Sequence, residues 1–334
     1  MNKIYNYILC FLCGILFYYI VNSIDKLELG GDVVAPIIGG WCMCAYDNMP
    51  YIDSSIHTQI NTIIPAGHQS DAKIYPFIDE NYKDDSISLS KNLNIKLITC
   101  KKDKLKKYIH NWLGIGGAGV NGGAGVNGDC LNFDSINKQV IKYNYNGLAF
   151  DMESCIGDNN TDNIDNVLKF IDSNKTHFIG LNPNFKFIYI PNQDNNVEYI
   201  KKNASNLFKE HIDYVAPMLY TGASSYASKN YLSSIKKWLQ NWETALNYIH
   251  NIADIDSKKK IILTIQMYSA SFDANATSVI DFMKNNYKNY AGILAWPITY
   301  VEDLPRLPDN KGFLDDKSKI RENHTKIFNK ILND

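Results

Sequence analysis

The sequence predicts an α/β fold, a (β/α)8 TIM-type barrel preceded by an N-terminal hydrophobic helix. Three observations lead there. Short apolar runs bounded by turn residues alternate with segments of helical periodicity along most of the chain. Setting aside an apolar N-terminal segment of the 334 residues leaves roughly 300, a length that suits one large α/β domain. The run at 146–153, Asn-Gly-Leu-Ala-Phe-Asp-Met-Glu, is apolar until its carboxyl end, where Asp151 and Glu153 stand two residues apart. A buried parallel strand that is acidic only at its carboxyl end has the form of a barrel's catalytic strand.

Taken in order, residues 1–29 read as a signal anchor or signal peptide with a short linker, and 30–334 as the barrel domain. Tyr7–Ile24 is an almost unbroken apolar run of eighteen residues behind Lys3, just enough to cross a bilayer. It is also long enough for the core of a signal peptide, with Val21-Asn22-Ser23 as a cleavage site. The length of the run and the poor cleavage site favour an uncleaved anchor over secretion. Lys3 and the free amine favour the cytosolic side, which places the rest outside the cell or in a lumen. A buried core helix is the bland alternative.

Eight strands are expected at Val33–Ile38, Thr58–Ile64, Trp112–Ile115, Gly147–Asp151, Phe178–Leu181, Tyr214–Met218, Ile261–Ile265 and Ala291–Ala295, with Ile95–Thr99 as an alternative third strand. Helical patterns fall at Ile164–Ser173, Val197–Phe208, Ser233–Ile252 and Ala276–Asn286. A doubly wound sheet is the competing fold, because Gly114–Gly119 is a formal GxGxxG after a strand. That fingerprint belongs to the first βαβ unit and opens a helix. Here it lies mid-chain and runs into a tandem Gly-Gly-Ala-Gly-Val-Asn repeat, too rich in Gly and Asn to hold one.

Charge is balanced, 34 basic against 35 acidic side chains, and no basic patch points to nucleic acid. Outside the apolar segment, Cys42, Cys44, Cys100, Cys130 and Cys155 are odd in number and irregular in spacing. They give no metal pattern and no readable disulfide pairing. The histidines show no pairing suited to a metal or a triad; His110 and His211 read as surface or satisfied core residues. No cofactor is expected. Trp238 and Trp242, four apart, read as one packed helix face.

The chemistry concentrates at 146–153. On a strand, the i, i+2 spacing sets Asp151 and Glu153 on one face, with Ala149 one step further in. Leu148, Phe150 and Met152 point the other way, into packing. A carboxylate two residues away disfavours ionisation of Glu153 and raises its pKa, as a general acid near neutrality requires. The alternative is an amphipathic strand whose acids are merely solvated.

The segment resembles the DGxDxDxE motif of the family 18 glycoside hydrolases, the chitinase-like barrels. Leu113-Gly114-Ile115-Gly116-Gly117 looks like that family's SxGG element, with Gly114 in place of Ser. Ala216-Pro217-Met218-Leu219-Tyr220 looks like its Met-x-Tyr element, and Gly292-Ile293-Leu294-Ala295-Trp296 like its last strand. The resemblance implies a substrate-assisted, retaining cleavage of β-1,4-linked N-acetylglucosamine glycans, in which the substrate's own acetamido oxygen attacks the anomeric carbon. It implies Glu153 as general acid, with Asp151 and Tyr220 holding the N-acetyl group. Trp296 would lie beneath the sugar ring, and Met218, Gly116 and Gly117 would line the site. Trp41, after Gly39-Gly40, is a further candidate platform or a buried rim residue.

Besides Gly114, three positions depart from the family pattern. Asn146 stands for the first Asp, Thr221 for the acid that follows the strand-six Tyr in many members, and Ala149 for the middle Asp. The last is expected to alter Asp151 and to lower the rate without removing the proton donor. The expected partner is therefore a chitin-like polymer, or alternatively an N-glycan core. The competing class is a carbohydrate-binding protein on a catalytically weak barrel.

Overall fold

The computed structural model describes residues 35–42, 61–65, 67–70, 73–76, 110–116, 131–152, 161–220, 226, 228–267, 276–296 and 326–333. Those from Pro36 onward belong to one unit, Pro36–Asp334. Its frame is eight parallel strands: β1 (Ile37–Cys42), β2 (Thr62–Pro65), β3 (His110–Gly116), β4 (Gly147–Asp151), β5 (Lys186–Ile190), β6 (Tyr214–Val215), β7 (Ile262–Gln266) and β8 (Gly292–Trp296). Neighbours from β1 to β6 pair in chain order, β7 pairs with β8, and β1 pairs with β8. A parallel bridge from Val215 to Ile261 links β6 to β7 and closes the ring. This sequential circular order is that of a (β/α)8 barrel; a doubly wound sheet would reverse its order at a switch point. A short antiparallel ribbon, Gly67–Ser70 with Lys73–Pro76, follows β2.

The helices described are α1 (Phe133–Tyr143), α2 (Thr161–Leu181), α3 (Ser205–His211), α4 (Tyr231–His250), α5 (Asp254–Lys258), α6 (Ala276–Asn286) and α7 (326–333). Before α3 the chain forms a helical turn at Val197–Tyr199 and a π-turn at Ile200–Ala204. Among the described residues no helix is long and apolar enough to cross a membrane. The N-terminal hydrophobic segment and Ile95–Thr99 lie outside the described residues.

One expected strand is corrected. Phe178–Leu181 is the last turn of α2, and the fifth strand is Lys186–Ile190. Ile164, Val167, Leu168 and Ile171 make a buried stripe at helical spacing, and Phe178 extends it seven residues beyond Ile171. Gly180 is exposed with open space around it, so it costs the helix little beyond its entropy. Pro183 then ends the helix and starts the strand connection. The helix α1, absent from the sequence-based assignment, is amphipathic through Ile136 and Val140, both buried.

Two asparagines stop helices where glycine is the usual choice. Asn144 (φ 55°) follows α1, and the Tyr145 N–H returns to the Val140 carbonyl. Asn251 (φ 54°) follows α4, with Ile252 bonded back to Asn247. Both are left-handed caps that satisfy carbonyls at the helix end. The first delivers the chain into β4. Asn146 then accepts the Asn111 N–H at 2.8 Å through its side chain. That ties β3 to β4 at their amino ends and gives this departure from the motif a structural role away from the strand's carboxyl end.

The two faces of the strands divide as the alternation predicts. Leu148, Phe150 and Met152 are fully buried, and Phe150 meets Phe170 of α2 edge-on at 6.2 Å. Phe187 and Tyr189 of β5 pack outward on Phe178 of α2, Phe208 of α3 and Trp242 of α4. Trp242 is fully buried and Trp238 partly so against the same core, one packed helix face. His211 is buried with its Nε2 3.1 Å from Asp172 and its Nδ1 without a hydrogen-bond partner, a core histidine satisfied at one nitrogen.

Inside the ring, Trp112 of β3 stacks on Tyr214 of β6 with centroids 6.4 Å apart, so the amino end of the barrel is filled by aromatic packing. Gly147 lies against this plug. A Cβ there would sit 2.4 Å from Trp112 Cδ1 and 2.7 Å from the Lys186 carbonyl oxygen. Gly147→Ala is therefore expected to destabilise the protein by about 3 kcal/mol through overpacking, measured by urea unfolding; an unchanged midpoint would show that the plug can shift.

Imidazoles near the same end titrate low. Burial, then the neighbouring Lys186 charge, lowers the pKa of His110. Burial, then Lys260 and Lys209, brings His250 down to about 4. Folding disfavours the charged form of both rings while the unfolded chain protonates near pH 6.5, so the unfolded state binds more protons as the pH falls. Stability is expected to decline from pH 6.5 towards pH 4, and His250→Gln to flatten that slope in denaturant midpoints taken across the range.

Candidate active site

Strand register defines the inward face. Gly114, Ala149 and Ile188 are partners on β3, β4 and β5, and Gly116, Asp151 and Ile190 are partners one step nearer the carboxyl ends. On the opposite side, Leu294 pairs with Thr264 and Trp296 with Gln266. Asp151 thus ends β4 half-buried at the carboxyl mouth, where barrel enzymes carry their chemistry. Gly116 beside it, the last residue of β3, has φ 92°, a left-handed backbone that favours glycine. Glu153, Gly117 and Thr221 lie outside the described residues.

The end of β6 is built in an unusual way. Pro217 has no N–H for the sheet, and the hydroxyl of Thr264 on β7 supplies the link instead. It accepts the Leu219 N–H at 2.9 Å and donates to the Pro217 carbonyl at 2.6 Å. On the other side, the Met218 N–H reaches the Pro191 carbonyl at 2.8 Å, and Met218 bridges Asn192. The chain therefore stays extended to Tyr220, whose ring lies nearly parallel to Trp296 at 6.2 Å and 21°. Tyr220 is 8% exposed and Trp296 half-buried, so the indole is the more open of the two.

Since β7 lies between β6 and β8, the Tyr220–Trp296 pair spans the end of β7. Gln266, in register with Trp296, is buried there. The hydroxyl of the buried Tyr226 accepts the Gln266 N–H at 3.0 Å and fixes that strand end. Burial holds the Tyr226 phenol well above its usual range, so it stays protonated.

The structure brings together Tyr220 and Trp296 and sets Asp151 and Gly116 side by side. Met218 and Trp41 are each 3% exposed, so both are packed into the core. Thr264, Gln266, Tyr226 and Gln193 belong to the mouth or its support, and sequence reasoning did not single them out. Gln266 carried a signal, a polar residue ending an apolar run, as Asp151 does. The two inward departures from the motifs, Gly114 and Ala149, are register partners. At this level the fully buried Ala149 has Gly114 and Ile188 as its two partners, neither of which carries a polar side chain.

No protein-family model matches the sequence, and no curated protein matches it at a significant level. Solved structures do match. The catalytic domain of a hyperthermophilic chitinase from Pyrococcus furiosus superposes with a TM-score of 0.53 at 14% identity, covering 91% of this chain and 100% of that one. The chain folds as the family 18 chitinases do. Catalytic-site mutants of active domain 2 of a P. furiosus chitinase give 0.52 at 15% identity, covering 91% and 100%. Mutants of the thermostable chitinase from the same organism, complexed with chito-oligosaccharides, give 0.52 at 13%, covering 89% and 97%.

Proposed function

We propose that this chain is a glycosidase that cleaves β-1,4-linked N-acetylglucosamine glycans by the substrate-assisted, retaining route. The observation that carries the proposal is the arrangement of the mouth. Asp151 ends β4, while Tyr220 and Trp296 stack at the ends of β6 and β8, on a barrel with the fold of chitinases. Glu153 is assigned as general acid, delivering its proton to the glycosidic oxygen. Asp151 and Tyr220 hold and polarise the acetamido group so that its oxygen reaches the anomeric carbon, which dispenses with a second flanking carboxylate. Trp296 offers its more open face to the apolar side of a pyranose. The N-terminal segment is assigned as the anchor or signal that places this domain outside the cytosol.

The test is hydrolysis of fluorogenic N-acetylglucosamine oligomers by the full chain, with the anomer of the first product followed by NMR. Release of the β-anomer supports the mechanism; an α-anomer would overturn it. A second class remains in view because Gly114 and Ala149 together remove polar groups expected below Asp151. Clear binding of the same oligomers without turnover would identify a carbohydrate-binding protein on this scaffold.

A further inference from the structure

The loop after β5 contains a strained residue in the middle of the support for Tyr220. Gln193 sits in the left-handed region at φ 47°, a conformation that glycine adopts without penalty. Its side chain donates from Nε2 to the Tyr220 carbonyl at 2.8 Å. Its own carbonyl accepts the Trp242 indole N–H at 2.9 Å. Trp242 is fully buried on α4, stacked on Phe208 and edge-on to Tyr189. The neighbour Asp194 is held in turn by the Asn241 side chain at 2.6 Å, also from α4. The loop is thus fastened to the outer helix layer at two points, and its amide reaches inward to one atom of the mouth.

We infer that Gln193 is a positioning residue that sets the Tyr220 ring against Trp296. The inference rests on the proposed function only for its effect on turnover. The chain past Val215 has little sheet left to hold it: β6 is two residues long, and Pro217 interrupts its hydrogen bonding. Met218 is tied to Pro191, Leu219 to Thr264, and Tyr220 to Gln193. Of these three ties, the last acts on the residue that stacks on Trp296. A left-handed non-glycine residue is kept where the surroundings over-determine it, and such strain clusters at functional sites.

The experiment is Gln193→Gly in the full chain. Glycine accepts φ 47° and leaves the backbone in place, but the amide is lost. Unfolding temperature is expected to hold or rise, while kcat/KM on fluorogenic N-acetylglucosamine oligomers falls about fivefold, the scale of one hydrogen bond. In a Tyr220→Phe background the same change should cost much less, because the two act through one ring. An independent readout is the NMR signal of the Tyr220 ring in tyrosine-labelled protein, identified by its loss in Tyr220→Phe. It should shift or broaden in Gln193→Gly whether or not the protein turns over substrate. An unmoved ring signal would overturn the inference, as would full additivity with Tyr220→Phe. Absent turnover in the parent chain, with a ring signal that shifts in Gln193→Gly, would overturn the glycosidase proposal and leave the positioning role standing.

Discussion

Glu153→Gln is expected to abolish hydrolysis of N-acetylglucosamine oligomers while leaving their binding close to that of the parent chain. The substitution keeps the size of the side chain and removes its capacity to deliver a proton. In a substrate-assisted reaction the acetamido group supplies the nucleophile, so the acid is the one protein group that must change protonation state at the glycosidic oxygen. Loss of general acid catalysis costs about a hundred- to ten-thousandfold in kcat. In the proposed mechanism binding rests on other groups, chiefly the open indole of Trp296 and the acetamido contacts assigned to Asp151 and Tyr220. Calorimetry on chito-oligosaccharides should therefore report a Kd within a few-fold of the parent value. Equal turnover in the mutant would remove Glu153 from the mechanism. Loss of binding along with turnover would show that the substitution had disturbed the mouth, and Asp151→Asn would then be the better probe. Since Tyr220→Phe removes a hydroxyl and not the proton donor, its effect should be the smaller, about one hydrogen bond in scale.

What was legible in the sequence divides along a physical line. Strand β4 was read to its last residue because two local patterns agree there: alternation sends Leu148, Phe150 and Met152 one way, and the acids accumulate at one end. The barrel followed from repeating such runs, and the match to chitinase structures upholds that fold. The fifth strand was misplaced because Phe178-Ile-Gly-Leu, taken alone, is a short apolar run, and periodicity cannot separate a strand from one turn of a buried helix. The stripe from Ile164 to Ile171 decides the matter, but only over a longer window. The supports of the mouth were invisible for a different reason. Thr264 reaches the β6 end across 45 residues, Tyr226 reaches Gln266 across 40, and Gln193 reaches Tyr220 across 27. Side-chain bonds over such separations are set by tertiary approach, and no spacing rule along the chain encodes them.

Ala149→Asp gives the second large effect, and the structure reverses the sense that the motif alone suggests. From the sequence, restoring the middle acid should raise the rate. In the barrel, residue 149 is fully buried, with Gly114 on one side and Ile188 on the other, and neither offers a polar side chain. A carboxylate placed there has Asp151 two residues along the same face as its nearest ionisable neighbour in the strand, and two carboxylates so close disfavour each other's ionisation. The single substitution is therefore expected to cost roughly 2–4 kcal/mol in urea unfolding, the scale of a buried polar group left short of partners. It should lower turnover as the mouth deforms. Gly114→Ser puts a hydroxyl on the register partner of residue 149. In the double variant that hydroxyl can donate to the new carboxylate, so stability should recover by about 1 kcal/mol beyond additivity. A double-mutant cycle in unfolding free energy reads this coupling directly. Coupling near zero would mean that the two departures arose independently. A rise in kcat for Ala149→Asp alone, at undiminished stability, would mean that the site still accommodates the acid. A positive coupling instead makes the paired loss one change in design: a polar floor beneath Asp151 exchanged for an apolar one, with Asp151 left as the innermost charge of the mouth on strand β4.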